Sequence, residues 1–181
     1  MKTIGLIGGM SWESSAHYYR ILNEEAAMRL GGLHSAPVIL HSLDFAPIAA
    51  LQSAGQWDEA GRQLNVAARA LQDAGAEVLG LATNTMHVVA EAMLEGVDLP
   101  FIHIADPTAE ALKADGFNRV GLLGTRFTME MSFYKDRLAT HGISAMVPDV
   151  DHTNLNGIIY EELCKGIVRE ESRRTYQMAI D

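Results

Sequence analysis

Cysteine and positive charge are scarce in this 181-residue chain, and it has no long apolar run. Cys164 is the only cysteine, so an internal disulfide is impossible and no cysteine-based metal site is visible. Fourteen Lys and Arg residues stand against 23 Asp and Glu residues, and the net charge of −9 argues against non-specific binding to nucleic acid or anionic membranes. No stretch could span a bilayer, and the start lacks a signal-peptide cleavage pattern. We therefore expect a cytoplasmic globular protein that binds neither nucleic acid nor membranes.

Two motifs that would indicate a cofactor or a metal are also missing. The seven histidines show no metal-ligand spacing, so we expect no metal site. The dinucleotide fingerprint G-x-G-x-x-G is absent, because the glycines after the first predicted strand (residues 3–7) stand at Gly8 and Gly9. Such glycines let backbone amides approach a ligand closely. The turn with Met10 and Ser11 is therefore a candidate ligand contact.

Three polar residues, Thr83, Asn84 and Thr85, follow the third predicted strand. An apolar run leads to Ala82, and helical character resumes near Met86, which predicts a strand, a turn and a helix. In an open parallel sheet this turn lies at the carboxyl edge, where ligands bind, and the helix start offers N–H groups that suit a carboxylate. One helix cap needs one such residue, so three in a row favour a small-anion site over a simple cap.

Strands and helices alternate along the whole chain. Strands are predicted at residues 3–7, 38–42, 77–82, 101–104, 119–123 and 143–147, and helices at 14–30, 57–74, 86–94, 107–115, 129–140, 154–165 and from 170 onward. A loop holding Pro47 and Gln52 is predicted after the second strand. This alternation predicts an α/β protein with parallel sheets covered by helices on both faces.

Residues 118–125 echo residues 2–9. Gly121 and Gly124 correspond to Gly5 and Gly8, and Tyr134 to Tyr18, all with a shift of 116 positions. Any strand–turn–helix unit could share such features, but the match favours a duplicated half. We therefore expect two pseudo-symmetric three-layer α/β/α halves, residues 1–98 and 99–181. No strand matching residues 77–82 follows the last helix, so the second half is expected to be incomplete.

Four motifs run through the chain in one register, at residues 2–14, 83–87, 121–125 and 159–163. Together they resemble the aspartate/glutamate racemase family, and most closely its broad-specificity amino-acid racemases. The resemblance implies two α/β halves with a site in the cleft between them, a homodimer, and racemisation of a small amino acid without a cofactor. The expected substrate contacts are Met10, Ser11, Gln52, Asn84, Thr85 and Thr125.

Inversion at an α-carbon needs a base on one face and an acid on the other. Family members usually carry a cysteine on each of two symmetry-related turns. Thr83 occupies the first cysteine position here, and the second would lie beyond residue 181. A hydroxyl is far less acidic than a thiol, so Thr83, the predicted catalytic residue, could donate a proton, relay one through water, or only hold substrate. We expect the 181-residue chain alone to be inactive as a racemase and less stable than a longer version.

The acidic-substrate members of the family use an arginine and a lysine where this chain has Ala49 and Cys164. A preference for aspartate or glutamate is therefore not expected. His87 could support its turn or contact a ligand. Two alternatives stay open: a catalytically silent protein that binds small carboxylates, and a related decarboxylase or cis-trans isomerase.

Overall fold

The computed structural model describes residues 1–180, and the chain folds into two compact units, the first spanning Met1–Ile102 and the second starting at His103. Both units are α/β with parallel strands, which confirms the predicted fold class. The domain boundary that we placed between residues 98 and 99 stays a prediction. In the structure the first unit continues to Ile102, because Phe101 and Ile102 pair with the strand before them in its sheet.

The first unit is built on a four-stranded parallel sheet with the order β2-β1-β3-β4. In chain order its elements are β1 (Ile4–Gly8), α1 (Trp12–Leu30), β2 (Val38–Ser42), α2 (Phe45–Ser53), α3 (Trp57–Asp73), β3 (Val78–Leu81), a 3₁₀ helix (Thr85–Val89), α4 (Ala90–Met93) and β4 (Phe101–Ile102). Ile7 lies opposite both His41 and Leu81, so the carboxyl ends of β1, β2 and β3 meet at one edge.

The helices of the first unit differ in how much they bury. The chain moves in opposite directions from β1 to β2 and from β2 to β3, so right-handed crossovers put α1 on one face and α3 and α4 on the other. On α3, apolar residues recur at helical spacing and form a buried stripe of Ala60, Gly61, Leu64, Ala67, Ala68 and Leu71. Each buried leucine there contributes about 1.5–3 kcal/mol to folding. By contrast, α1 buries only Ser15 and Ala26.

The second unit has a two-stranded parallel sheet, β5 beside β6. In chain order its elements are α5 (Ala105–Ala114), β5 (Arg119–Gly121), α6 (Arg126–Glu130), α7 (Phe133–Thr140), β6 (Ser144–Met146), α8 (His152–Glu161), a 3₁₀ helix (Leu163–Lys165) and α9 (Glu170–Ile180). Its core joins α5, α7 and the residue before β6 through Ala105, Ala109, Tyr134, Leu138 and Ile143.

Three local predictions were wrong. The loop predicted to hold Pro47 and Gln52 is helix α2, because Asp44 Oδ1 accepts the N–H of Ala46 and a proline is tolerated in a first helical turn. The helix predicted over residues 129–140 is two helices, since the backbone at Met131 is extended (ψ 157°). The helix predicted over 154–165 leaves the α conformation after Glu161 and ends in the 3₁₀ turn.

Within residues 1–180, no helix is both long enough and apolar enough to cross a membrane.

Candidate functional site

Two of the predicted ligand-binding turns start side by side at the carboxyl edge of the first unit's sheet. Strand β1 pairs with β3, and the N–H of Ala82 donates to the carbonyl of Ile7 at 2.9 Å where both strands end. From β1 the chain runs to β2 on one side, while β3 lies on the other, so the sheet order reverses here. Ligands of open α/β sheets bind at such a switch point. The fold therefore brings together turns that are more than 70 residues apart in the sequence.

The first turn requires a glycine at position 9. Gly9 has φ of 93°, a left-handed conformation that other residues rarely adopt. A Cβ there would also overlap the backbone of Leu43, which closes on this turn by donating its N–H to the carbonyl of Gly8 at 3.0 Å. The close approach of two backbone segments explains this glycine without invoking a ligand.

Ser15 of α1 stabilises the same turn, and it was not among the site residues predicted from the sequence. Its Oγ accepts the N–H of Gly9 at 2.8 Å and donates to the carbonyl of Ser11 at 3.0 Å. The side chain is buried, with 1% of the residue exposed. The available signal was a hydroxyl in the first turn of the helix that follows the glycines. Because the Gly9 N–H already donates to Ser15 Oγ, it is not the ligand donor that we expected from this turn.

Met10 and Ser11, the predicted contacts in this turn, are both buried. Ser11 is the N-cap of α1, and its Oγ accepts the N–H of Ser14 at 3.4 Å. The cap accounts for a serine at this position. A substrate contact of Met10 or Ser11 stays a prediction.

In the second turn, Thr83 is half-buried, Asn84 is exposed and Thr85 is buried. The helix that follows begins as a 3₁₀ helix at Thr85, rather than as the α-helix predicted from residue 86. Asn84 occupies its N-cap position but makes no capping hydrogen bond with its side chain. Helix capping therefore does not explain Asn84. Of the three residues, Thr83 and Asn84 are accessible from solvent.

His87 supports the second turn. Its Nδ1 lies 2.7 Å from the carbonyl oxygen of Thr83, and its ring lies 5.6 Å from the ring of Phe101 on β4. The residue is 4% exposed. This geometry assigns the supporting role that we considered for His87. A direct ligand contact stays a prediction.

Gln52 also reaches the second turn, from helix α2. It is buried, and its Nε2 donates to the Met86 sulfur at 2.9 Å. A thioether is a weak acceptor, so this contact holds the amide less firmly than an oxygen acceptor would. The structure thus brings Gln52 next to the residue after Thr85, and a substrate contact of Gln52 stays a prediction.

Thr125, the last predicted contact, lies in the second unit. It is the N-cap of α6: its Oγ1 accepts the N–H of Thr128 at 3.3 Å and lies 3.1 Å from the Thr128 hydroxyl. The next amide, of Arg126, donates to Asn156 Oδ1 at 2.9 Å. Local structure therefore accounts for this threonine too.

Tyr160, which lies in the fourth sequence motif, does not supply a neutral-pH base. Burial, with the nearby Cys164 thiol, raises the pKa of Tyr160 to about 12, so its phenol stays protonated at neutral pH. Cys164 lies in the short 3₁₀ helix and is half-buried.

The two first-unit turns, residues 8–11 and 82–87, contain no lysine or arginine. A carboxylate bound there would be met by backbone N–H groups, hydroxyls and the Asn84 amide. Among the described residues, no group of three or more His, Cys, Asp or Glu side chains could hold a metal ion.

The resemblance noted in the sequence extends to known proteins. The profile of the Asp/Glu/Hydantoin racemase family matches residues 7–181. A crystal structure of a Yersinia pestis protein provisionally named an Asp/Glu racemase shares 52% identity with a TM-score of 0.88, and the match covers 99% of this chain and 79% of that one. An aspartate racemase homologue from Pyrococcus horikoshii shares 34% identity with a TM-score of 0.79, over 96% of this chain and 76% of that one.

A more distant structure agrees in fold. The aspartate racemase of Picrophilus torridus shares 20% identity with a TM-score of 0.75, over 98% of this chain and 72% of that one. The family profile spans almost the whole length, and two solved structures exceed 30% identity over nearly all of this chain. This chain belongs to the Asp/Glu/Hydantoin racemase family.

Proposed function

We propose that this protein is a cofactor-independent amino-acid racemase or epimerase. The observation that carries the proposal is the adjacency of the turns after β1 and β3 at the point where the sheet order reverses. One of these turns bears the Thr83-Asn84-Thr85 sequence at the start of a helix. Family membership supports the same reaction class.

In this proposal the second turn binds the α-carboxylate. Asn84 is exposed and makes no capping bond, so its amide is suited to the anion together with N–H groups at the helix start. Thr85, Met10, Ser11, Gln52 and Thr125 are proposed as further substrate contacts. Soaking crystals with citrate or acetate tests this part, and anion density only at other places would contradict it.

Thr83 is proposed to act in proton transfer. Racemisation removes the α-proton on one face and returns a proton on the other, so no net proton is gained or lost. A threonine hydroxyl is a poor base, and its most suitable roles are to donate a proton or to relay one through water. Its half-buried position keeps it accessible to a substrate that arrives from solvent.

The proposed substrates are neutral or hydroxylated amino acids. Ala49 and Cys164 stand where acidic-substrate relatives carry cations, and a second carboxylate left unpaired in a closed site is costly. We expect kcat/KM for aspartate not to exceed that for neutral amino acids. A clear advantage for aspartate would mean that another cation, such as Lys165, pairs with the side chain.

A second candidate is a catalytically silent carboxylate-binding protein, and the hydroxyl at position 83 in place of a thiol favours it. Proton NMR in heavy water with each enantiomer of several amino acids, beside polarimetry, separates the candidates in a version of the protein that continues past residue 181. A racemase exchanges the α-proton and inverts the centre, whereas a binding protein shifts the amide signals of residues 83–85 without either change. Loss of carbon dioxide or of cis geometry from a diacid would indicate the decarboxylase or isomerase alternative.

We also propose a homodimer that works in the cytoplasm. Light scattering on the purified protein and fractionation of cells test these two points.

A further inference from the structure

The turn after β3 is wound more tightly than an α-helix, and this leaves the Thr83 carbonyl without its usual donor. In an α-helix that carbonyl would accept the backbone N–H of His87, four residues later. In the 3₁₀ helix the N–H of His87 instead donates to the Asn84 carbonyl, at 3.1 Å. A partly buried carbonyl needs a replacement donor.

The side chain of His87 supplies that donor. Its Nδ1 lies 2.7 Å from the Thr83 carbonyl oxygen. A carbonyl oxygen can only accept, so Nδ1 must carry a hydrogen and donate it. His87 therefore holds two consecutive carbonyls, that of Asn84 through its backbone and that of Thr83 through its ring.

The ring itself is fixed to the sheet. His87 is buried, and its ring packs at a tilt of 33° beside the ring of Phe101, with the centroids 5.6 Å apart. Phe101 belongs to β4 and pairs with Leu79 of β3, the strand that leads into the turn. The position of Thr83 is thus set through a packed ring that is anchored on the neighbouring strand.

We propose that His87 is a positioning residue whose Nδ1–H fixes the backbone of Thr83, and so the direction of the Thr83 hydroxyl. The proposal rests on the proposed function of this turn. His87 acts through Thr83 and does not need to touch the substrate. A histidine suits the position because its donor reaches back one helical turn while its ring fills the space beside Phe101.

Three substitutions separate the donor from the ring. Asparagine places an N–H the same number of bonds from Cβ as Nδ1, glutamine places one a bond farther, and phenylalanine keeps a ring without a donor. In a version of the protein that continues past residue 181, we expect H87F and H87Q to lower kcat by roughly 10- to 100-fold, since small displacements of a catalytic group reduce rates by such factors. We expect H87N to recover most of this loss. A merely structural role for the ring predicts the reverse order, with H87F the mildest.

The closing experiment combines NMR with these kinetics. ¹⁵N spectra of the wild-type imidazole should show a hydrogen on Nδ1 of His87, and a hydrogen on Nε2 alone would overturn the proposal. The ¹³C shift of the Thr83 carbonyl should change in H87F and stay near the wild-type value in H87N. The proposal would also be overturned if folded H87N were as slow as H87Q and its Thr83 carbonyl shift departed from the wild-type value as far as that of H87Q.

The same measurements distinguish failure of this inference from failure of the proposed function. If the wild-type protein neither binds carboxylates nor exchanges α-protons, the proposed function fails. The tautomer and the Thr83 carbonyl shift then still decide whether His87 holds the turn, because neither requires turnover.

Discussion

The glycine-rich turns of the two units share a sequence motif but differ in structure. In each, a glycine makes room for a hydroxyl side chain of the following helix: a Cβ would lie 2.5 Å from Ser15 Oγ at Gly8, and 3.2 Å from the Thr128 side chain at Gly124. The next position differs. Gly9 has φ of 93°, whereas its counterpart Thr125, 116 residues later, has φ of −62° and already caps its helix.

The two turns also differ in how many residues lie between the matched position, Gly9 or Thr125, and the start of the helix. In the first unit Met10 and Ser11 intervene before α1 starts at Trp12, while in the second unit α6 starts directly after Thr125. The first turn is held from two sides, by Leu43 and Ser15. A shared motif therefore predicts the position of a turn after a strand, and the next residue determines its shape.

The largest expected effect comes from giving position 9 a Cβ, as its counterpart Thr125 has. In G9A the alanine must take a left-handed conformation and its Cβ meets the Leu43 backbone, so we expect a loss of about 4 kcal/mol of unfolding free energy. Urea denaturation measures this. The matched control is T125G in the second unit, which removes a cap and should cost only a few tenths of a kcal/mol beyond the added chain entropy, about 1 kcal/mol in all. Similar losses in both variants would mean that the turns are equivalent.

The next effect tests whether the turn after β3 in the first unit and the turn after β5 in the second unit have different chemical roles. In T83A, made in a version of the protein that continues past residue 181, we expect kcat to fall by roughly 100-fold with KM little changed, because proton-transfer groups contribute at least this much. In T125A, which removes a cap hydroxyl and a proposed substrate contact, we expect KM to rise and kcat to fall by no more than a few-fold. Steady-state kinetics with each enantiomer supply the numbers. An unchanged kcat with a raised KM in T83A would instead assign Thr83 to uniform substrate binding.

A smaller effect compares the two hydroxyls that lie behind the glycines. S15A leaves the Gly9 N–H unpaired in a buried place, while the Ser11 carbonyl loses the hydroxyl but keeps the backbone N–H of residue 15 at 3.2 Å. We expect it to lose about 2 kcal/mol of unfolding free energy. T128V removes one hydroxyl contact at nearly constant shape and should lose about 1 kcal/mol. Thermal and urea denaturation of both variants give the comparison. A larger loss in T128V would show that the second turn depends more on its hydroxyl.

The smallest effect concerns pH and belongs to the second unit. Arg137 on α7 forms two 2.6 Å hydrogen bonds to Asp106 on α5, and with His141 it holds the pKa of that carboxyl well below its usual range. A depressed pKa gives stability that is present above the ordinary value near 3.9 and is lost as the pH falls below it. D106N should therefore lose about 1 kcal/mol at pH 7, a modest amount because the pair is partly exposed.

The difference between D106N and wild type should shrink in unfolding curves recorded at pH 4 and then pH 3. The control is D136N, an exposed aspartate on α7, which should change stability by less than about 0.5 kcal/mol at every pH. A difference that stays constant down to pH 3 would show that the Asp106 charge is not what stabilises the contact.

Sequence patterns predicted the elements of this protein well where the pattern is local. The alternation of strands and helices, the long helix α3 and the turns after β1 and β3 all follow from periodicity and glycine placement. The break at Met131 and helix α2 were missed. The break depends on the extended backbone of one residue, and helix α2 depends on its Asp44 cap. The spacing of apolar residues indicates neither.

The candidate site could be located from the sequence, but its internal connections could not. The sequence predicts that residues 83–85 form a polar turn after a buried strand, because the apolar run and the polar triplet are contiguous. Three features could not be predicted in this way: the turn lies beside Gly9, Ser15 Oγ accepts the Gly9 N–H, and the His87 ring replaces a helical hydrogen bond. They depend on the strand order and on the formation of a 3₁₀ helix instead of an α-helix. Hydrogen bonds between distant segments are fixed only when the sheet assembles, because strand pairing decides which backbone groups remain for side chains to satisfy.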